Sequence, residues 1–242
     1  MNGQPQSEAV RAMFARIAGP YDRLNHLLSG GVDYWWRHLL LRSVQAAARR
    51  SQISNFKFQI LDLACGTGDV TLLLQRAGFD ATGGDFCEPM LERARAKGVQ
   101  KTAVADALAL PFPDASFDAV TIAFGYRNFE DRPRALGEIC RVLRSGGSLH
   151  ILEFSQPFRL FRPFYYLYLK YILPTAAKWF CRDRAAYEYL SCSIEAFPEV
   201  HAIGAELEAA GFQAITWTRP TFGIVALHRA QSPGLPQECR GT

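Results

Sequence analysis

The sequence predicts an α/β fold: a mostly parallel seven-stranded sheet, helices on both faces, and an antiparallel hairpin at the C-terminal end. Between residues 58 and 155, short apolar runs alternate with helical patterns, the mark of successive strand–helix units. The helical patterns close on glycine, at Gly78, Gly98 and Gly146–Gly147. The last two strand-like runs, "QAITWTRP" and "GIVALHRA", are joined by too few residues for a crossover helix, so they pair as a hairpin.

Residues 8–50 read as helical, with Val10, Met13, Phe14 and Ile17, then Leu39, Leu40 and Val44, at helical spacing. Gly19-Pro20 and Ser29-Gly30-Gly31 interrupt that pattern, and the segment is expected to fold over the sheet as a lid. "FQILDLACG" is the first strand, running into a glycine turn, and "DVTLLLQRAG" the helix after it. "DATGGDF" and "EPMLERARAKG" form the next strand and helix, with Pro89 early in the helix. "KTAVADA" and "FDAVTIAFG" are the third and fourth strands, "PRALGEICRVLRSGG" a helix, and "SLHILEFS" the fifth strand. Residues 156–200 are an insertion crowded with Phe, Tyr and Trp, followed by the helix "VHAIGAELEAAGF" and the hairpin. The tail after Arg229 carries Pro and Gly without periodicity and is expected to fray. The whole chain, 1–242, reads as one domain.

Composition narrows the classes of function. An apolar share of 49% and a charged share of 21% are those of a globular protein. A net charge of +4 without any Lys/Arg run excludes nucleic acid as the expected partner. The six cysteines, Cys65, Cys87, Cys140, Cys181, Cys192 and Cys239, form no C-x-x-C pair, as reduced thiols of a cytoplasmic protein would. The start lacks a leader pattern, and charges and prolines break the apolar stretch 158–180, so no spanning helix is expected. No His, Cys, Asp or Glu spacing points to a metal.

Chemistry gathers where the strands end. Asp62 precedes a turn with Gly66 and Gly68, which lets a ligand approach the backbone. Asp85 ends the second strand, where a carboxylate can accept both hydroxyls of a ribose. Asp106, followed by Ala107, ends the third, where a carboxylate can meet an adenine amino group; solvated strand-end acids are the alternative. Thr71 stands where a dinucleotide fingerprint has its third glycine, which argues against NAD or FAD. After the fourth strand comes "FGYRNFED", where Gly125 is followed by Tyr126, Arg127 and Asn128. A surface turn with Arg127 paired to Glu130 or Asp131 is the alternative to a functional arginine.

Asp62, Gly66, Gly68, Asp85 and Asp106, in this order, resemble the class I S-adenosylmethionine-dependent methyltransferases, a Rossmann-like fold. The likeness extends over about residues 10 to 229. "MFARIAGPYDRLNHLLSGG", "DLACGTGD", "ALPFPDASFDAV", "FGYRNFED", "RVLRSGGSLHILEFSQP", "YEYLSCSIEAFP" and "GIVALHR" together look like the ubiquinone/menaquinone biosynthesis C-methyltransferase family. The resemblance implies that Thr67, Asp85, Asp106 and Ala107 contact S-adenosylmethionine. Ala64 replaces the general first glycine, and Ala123 replaces a serine found in some members.

It further implies C-methylation of a prenylated quinol, demethylmenaquinol to menaquinol, with the ubiquinone branch, another lipidic acceptor or a non-catalytic cofactor-binding subunit as alternatives. Only a reduced quinol is nucleophilic enough, so Arg127 and Asn128 are expected to orient and polarise its oxygen, with Tyr21 folding over the site. Tyr126, Tyr187 and Tyr189 are expected to wall the substrate. The aromatic insertion suits a greasy channel for a prenyl tail, which fits a peripheral membrane contact. A homo-oligomer is also compatible with the sequence.

Overall fold

The computed structural model describes residues 29–51, 57–172 and 184–233. Its sheet has seven strands: β1 (Gln59–Leu63), β2 (Asp80–Asp85), β3 (Thr102–Val104), β4 (Phe117–Ala123), β5 (Leu143–Phe154), β6 (Gln213–Thr218) and β7 (Val225–Gln231). The strand order is β3-β2-β1-β4-β5-β7-β6. The first five strands pair in parallel, and β7 runs antiparallel to both β5 and β6. The expected hairpin is therefore present, with its second strand slipped between the first and the parallel sheet.

The helices follow from sequence in the expected places. α1 (Val32–Ser51) buries Trp36, Leu40, Val44 and Ala48, a stripe at every fourth residue, against Phe58, Ile60, Val70 and Leu74. This described part of the expected lid is thus a core helix; residues 8–28 lie outside the described residues. α2 (Asp69–Arg76), α3 (Glu88–Ala96) and α4 (Arg132–Val142) cross between the parallel strands. α4 is capped by Asp131, whose carboxylate accepts the Arg134 N–H at 3.0 Å, so Asp131 serves the helix and not Arg127. The second core cluster, on the other side of the sheet, holds Leu136, Ile139 and Val142 of α4 with Val120, Ile122 and Leu149.

Two boundaries differ from expectation. The helix read as far as Gly146–Gly147 stops at Val142, because β5 already pairs at Leu143 with Phe117. The register then jumps to Ser148 opposite Ala119, so the glycines sit in an irregular bulge of the strand. β3 covers only Thr102–Val104, and Asp106 lies beyond it in an isolated bridge to Ala109.

The insertion begins with α5 (Arg162–Leu167), continues as a π-helical turn over Tyr168–Ile172, and returns as α6 (Arg184–Ala196) before α7 (Val200–Ala209). Tyr165, Leu169 and Ile194 form a small core of their own, with Phe154 and Ile224 packed on it. Gln156 ties its exit down by donating to the carbonyls of Ile194, Glu195 and Phe197 at 3.0–3.2 Å. Leu160, Phe164, Leu167 and Tyr171 of the insertion are exposed large hydrophobics, as is Phe222, which stacks on Phe161 from the turn before β7.

Candidate active site

The order β3-β2-β1-β4-β5 places a topological switch between β1 and β4, where the chain leaves for opposite edges of the sheet. A crevice at the carboxyl ends is the general ligand position of such sheets. Two turns flank it. After β1, Ala64, Gly66 and Gly68 all take left-handed φ values, 55°, 56° and 83°, which folds the chain tightly before α2. After β4, Phe124 does the same at 59°. The turns touch at Gly125: a Cβ there would stand 2.5 Å from Ala64 Cβ, so only glycine allows this approach. A Cβ on Gly66, by contrast, would meet nothing within 4 Å, so that side of the turn is an open cradle.

The three acids take different environments. Asp62 is buried under the turn, its carboxylate accepting the hydroxyls of Thr71 at 2.6 Å and Thr121 at 2.8 Å. Burial pushes its carboxyl up to about 6, against the opposing pull of those two hydroxyls. Asp62 therefore braces the turn from below. Asp85 accepts the N–H groups of Gly66 at 2.8 Å and Cys87 at 2.9 Å, one on each oxygen. Burial raises its pKa, and these backbone donors hold it back. Asp106 is exposed, with one oxygen on the Leu108 N–H at 2.9 Å, while Ala107 beside it turns into the core. Thr67 is buried and its hydroxyl accepts from Lys97 Nζ at 2.8 Å.

The turn after β4 is a single 3-10 turn, Tyr126–Asn128, whose three successive side chains diverge. Tyr126 points inward. It is wholly buried against Phe129 and Phe197, and its hydroxyl donates to Glu206, which also holds Arg132. The expectation of Tyr126 as a substrate wall is corrected: it is a core residue beneath the turn, with its phenol pKa pushed up by burial. Arg127 is also interior. Its Nη1 donates to Glu153 Oε1 at 2.8 Å and to the Phe124 carbonyl at 2.5 Å, and its backbone N–H donates to Glu153 Oε2 at 3.2 Å. The pair is nearly sealed from solvent, with 4% and 1% of the side chains exposed, so the surface-turn alternative does not hold. Asn128 is half-buried, and its Oδ1 accepts the Tyr189 hydroxyl from α6 at 2.9 Å. Burial raises the Tyr189 phenol, which keeps its proton for that bond.

Glu153 escaped the sequence reading, although a lone acid inside the apolar run "SLHILEFS" is a signal that it must be paired. Tyr21 and Asp22 lie outside the described residues, as does the side chain of Tyr187. His150 is buried between Ser43 and Ser148, at 2.9 and 3.0 Å, and His228 near the Val200 carbonyl at 3.2 Å. Burial lowers both, to about 3 and about 4, which marks neutral structural imidazoles. Among the described residues no cluster has metal-ligand geometry, and no helix is long and apolar enough to cross a membrane.

A family model described as the ubiE/COQ5 methyltransferase family matches residues 2–232. A demethylmenaquinone methyltransferase of Thermus thermophilus is 45% identical over 229 residues, covering 91% of this chain and 100% of that protein. One of the same name from Clavibacter sepedonicus is 43% identical, covering 93% and 90%. Among solved structures, the cyclase SpnF superposes with a TM-score of 0.63 at 19% identity, covering 96% of this chain and 98% of that one. An S-adenosylmethionine-dependent methyltransferase from Thermotoga maritima gives 0.60 at 20% identity, covering 91% and 98%. At such identities these two likenesses show the fold alone, and a cyclase among them illustrates that the fold does not choose the reaction.

Proposed function

The chain belongs to the ubiE/COQ5 methyltransferase family, and from that premise we propose that it methylates a ring carbon of a prenylated quinol, converting demethylmenaquinol to menaquinol in menaquinone biosynthesis. The observation that carries this reading is the contact of the two turns at Gly125 and Ala64, which sets the cofactor cradle beside the Arg127–Asn128 turn. S-adenosylmethionine supplies an electrophilic methyl group. The residues present suit it: an open cradle at Gly66, an acid at the end of β2 for the ribose, and an exposed acid past β3 for the adenine. We assign Asp85, Asp106, Ala107 and the backbone of Gly66–Gly68 to holding it, and Asp62 to bracing the turn.

On the other wall, Asn128 and Tyr189 are the polar side chains we assign to the quinol oxygen. Oδ1 of Asn128 accepts from Tyr189, and the amide N–H groups are the donors we assign to the quinol oxygen. Arg127 stays protonated and acts from behind. Glu153 fixes it through side chain and backbone together, so its charge meets the oxygen as a preorganised field as phenolate character develops. The substrate must be the hydroquinone, because the oxidised ring is not a nucleophile. A prenyl tail would leave along the insertion, where exposed Leu160, Phe164 and Tyr171 stand among Arg159, Arg162 and Lys170, a composition suited to an anionic bilayer face.

The experiment is label transfer from S-adenosylmethionine to chemically reduced demethylmenaquinol, with the ubiquinone precursor in parallel and both oxidised quinones as controls. Label in reduced demethylmenaquinol is the expected result. Label only in the benzoquinol would move the protein to the ubiquinone branch, and label in neither would overturn the quinol reading.

A further inference from the structure

A second set of charges lies across the glycine turn, outside the residues assigned above. Ser29 Oγ donates to Asp33 Oδ1 at 2.7 Å, and the other oxygen of Asp33 pairs with Arg37 Nη1. Arg37 Nη2 stands 3.5 Å from Asp69 Oδ2, and Asp69 Oδ1 accepts Lys97 Nζ at 2.8 Å. Lys97 reaches on to the Thr67 hydroxyl. The result is a ladder of alternating sign, Asp33–Arg37–Asp69–Lys97, running from α1 over the start of α2, mostly buried at its α1 end and opening to solvent at Asp69 and Lys97.

The ladder sits where one end of the cofactor must go. Strand order sets the direction: Asp106 follows β3, Asp85 ends β2, and the glycine turn follows β1. A nucleoside with adenine near Asp106 and ribose at Asp85 must therefore extend its remaining chain over the turn, toward β4. The first turns of α1 border that place. Trp36 packs on Phe124 and Phe154, just past β4 and at the end of β5, and Arg37 is the next residue. The remaining chain ends in an α-amino acid, a carboxylate and an ammonium side by side, which needs a cation and an anion side by side.

We propose that Arg37 takes the carboxylate of the cofactor's amino-acid end, with Asp69 as the anion next to it for the ammonium. The inference rests on the cofactor reading above. A guanidinium offers five N–H donors in a fork that matches a carboxylate. One nitrogen of Arg37 is held by Asp33, which aims the fork. The other is at ion-pair distance from Asp69 and beyond a normal N–H···O bond, so an incoming carboxylate can take it without breaking the Asp33 pair.

The test uses two ligands that differ only at that end. S-adenosylhomocysteine carries the amino acid; methylthioadenosine keeps the nucleoside and the thioether and lacks it. Both are titrated calorimetrically into the wild-type chain, Arg37→Met and Arg37→Lys. The expected result is that Arg37→Met loses about tenfold or more in affinity for S-adenosylhomocysteine and stays within about twofold for methylthioadenosine, because one charge-assisted bond is removed from one ligand only. Arg37→Lys should recover part of the loss, and it serves alone if the Met variant does not fold. Equal losses for both ligands would show that Arg37 only props the turn, and no loss would put the amino-acid end elsewhere; either result overturns the inference. A wild-type chain that bound neither ligand would overturn the cofactor reading itself and the inference with it.

Discussion

The two walls of the crevice are built by different means. The cofactor wall is built on backbone groups: a turn of left-handed residues, and an acid whose oxygens are both held by backbone N–H groups. The substrate wall is made of strangers, Arg127 with Glu153 from β5 and Asn128 with Tyr189 from α6. Its charges are set by sheet order and helix packing. The difference teaches that the cofactor wall should answer to changes at its glycines and its charged side chains. The substrate wall should lose function in proportion to the pair that is broken, most at the buried ion pair and least at the neutral hydrogen bond.

The largest effect is expected at Glu153. Glu153→Ala strands the Arg127 guanidinium in a site only 4% exposed, and removal of one partner of such a pair costs about 3–5 kcal/mol. Denaturant unfolding should show this as a lower midpoint at unchanged slope; a midpoint within error of wild type would mean that the pair does not hold the wall together.

The cofactor wall answers to pH instead. Asp62 holds its proton up to about 6 in the fold against 3.8 for the free carboxyl. Its folded-state pKa is raised, so the fold binds that proton more tightly than the unfolded chain does. The stability it contributes is present at low pH and is lost as pH climbs from 3.8 to about 6. Asp62→Asn removes this titration. The variant should gain on wild type across that window, by on the order of 3 kcal/mol. A wild-type-minus-variant difference that stays flat with pH contradicts the buried-acid reading.

The smallest effect is expected at Tyr189. Tyr189→Phe removes one neutral hydrogen bond to a half-buried amide, worth about 1 kcal/mol, so stability should shift little. It should raise KM for the quinol while leaving S-adenosylhomocysteine affinity unchanged. A change in cofactor affinity alone would place Tyr189 on the wrong wall.

The same contrast decides what the sequence made legible. The glycine turn with Asp62, Asp85 and Asp106 was readable because each acid ends a strand that the pattern itself delimits, and the short link before β7 forced the hairpin. Glu153 was not, because its partner is 26 residues away and only the β4–β5 pairing brings them together. Tyr126 looked like its neighbours Arg127 and Asn128, yet a 3-10 turn sends adjacent side chains to different sides, and Tyr126 went to the core. The helix before β5 was overread because Gly146–Gly147 fits a helix stop as well as a strand bulge, and only the pairing of Leu143 with Phe117 decides between them.

The division of labour between the walls is tested most directly by Arg127→Met, measured twice on the same preparation: affinity for S-adenosylhomocysteine, and single-turnover methyl transfer to reduced demethylmenaquinol. Methionine keeps bulk and removes the charge. Transfer should fall by about tenfold or more, with the roughly two to three orders of magnitude lost with a donor in contact with the oxygen as the upper bound, and cofactor affinity should be unchanged. Cofactor affinity that falls in step with transfer would put Arg127 on the cofactor wall and contradict the central claim.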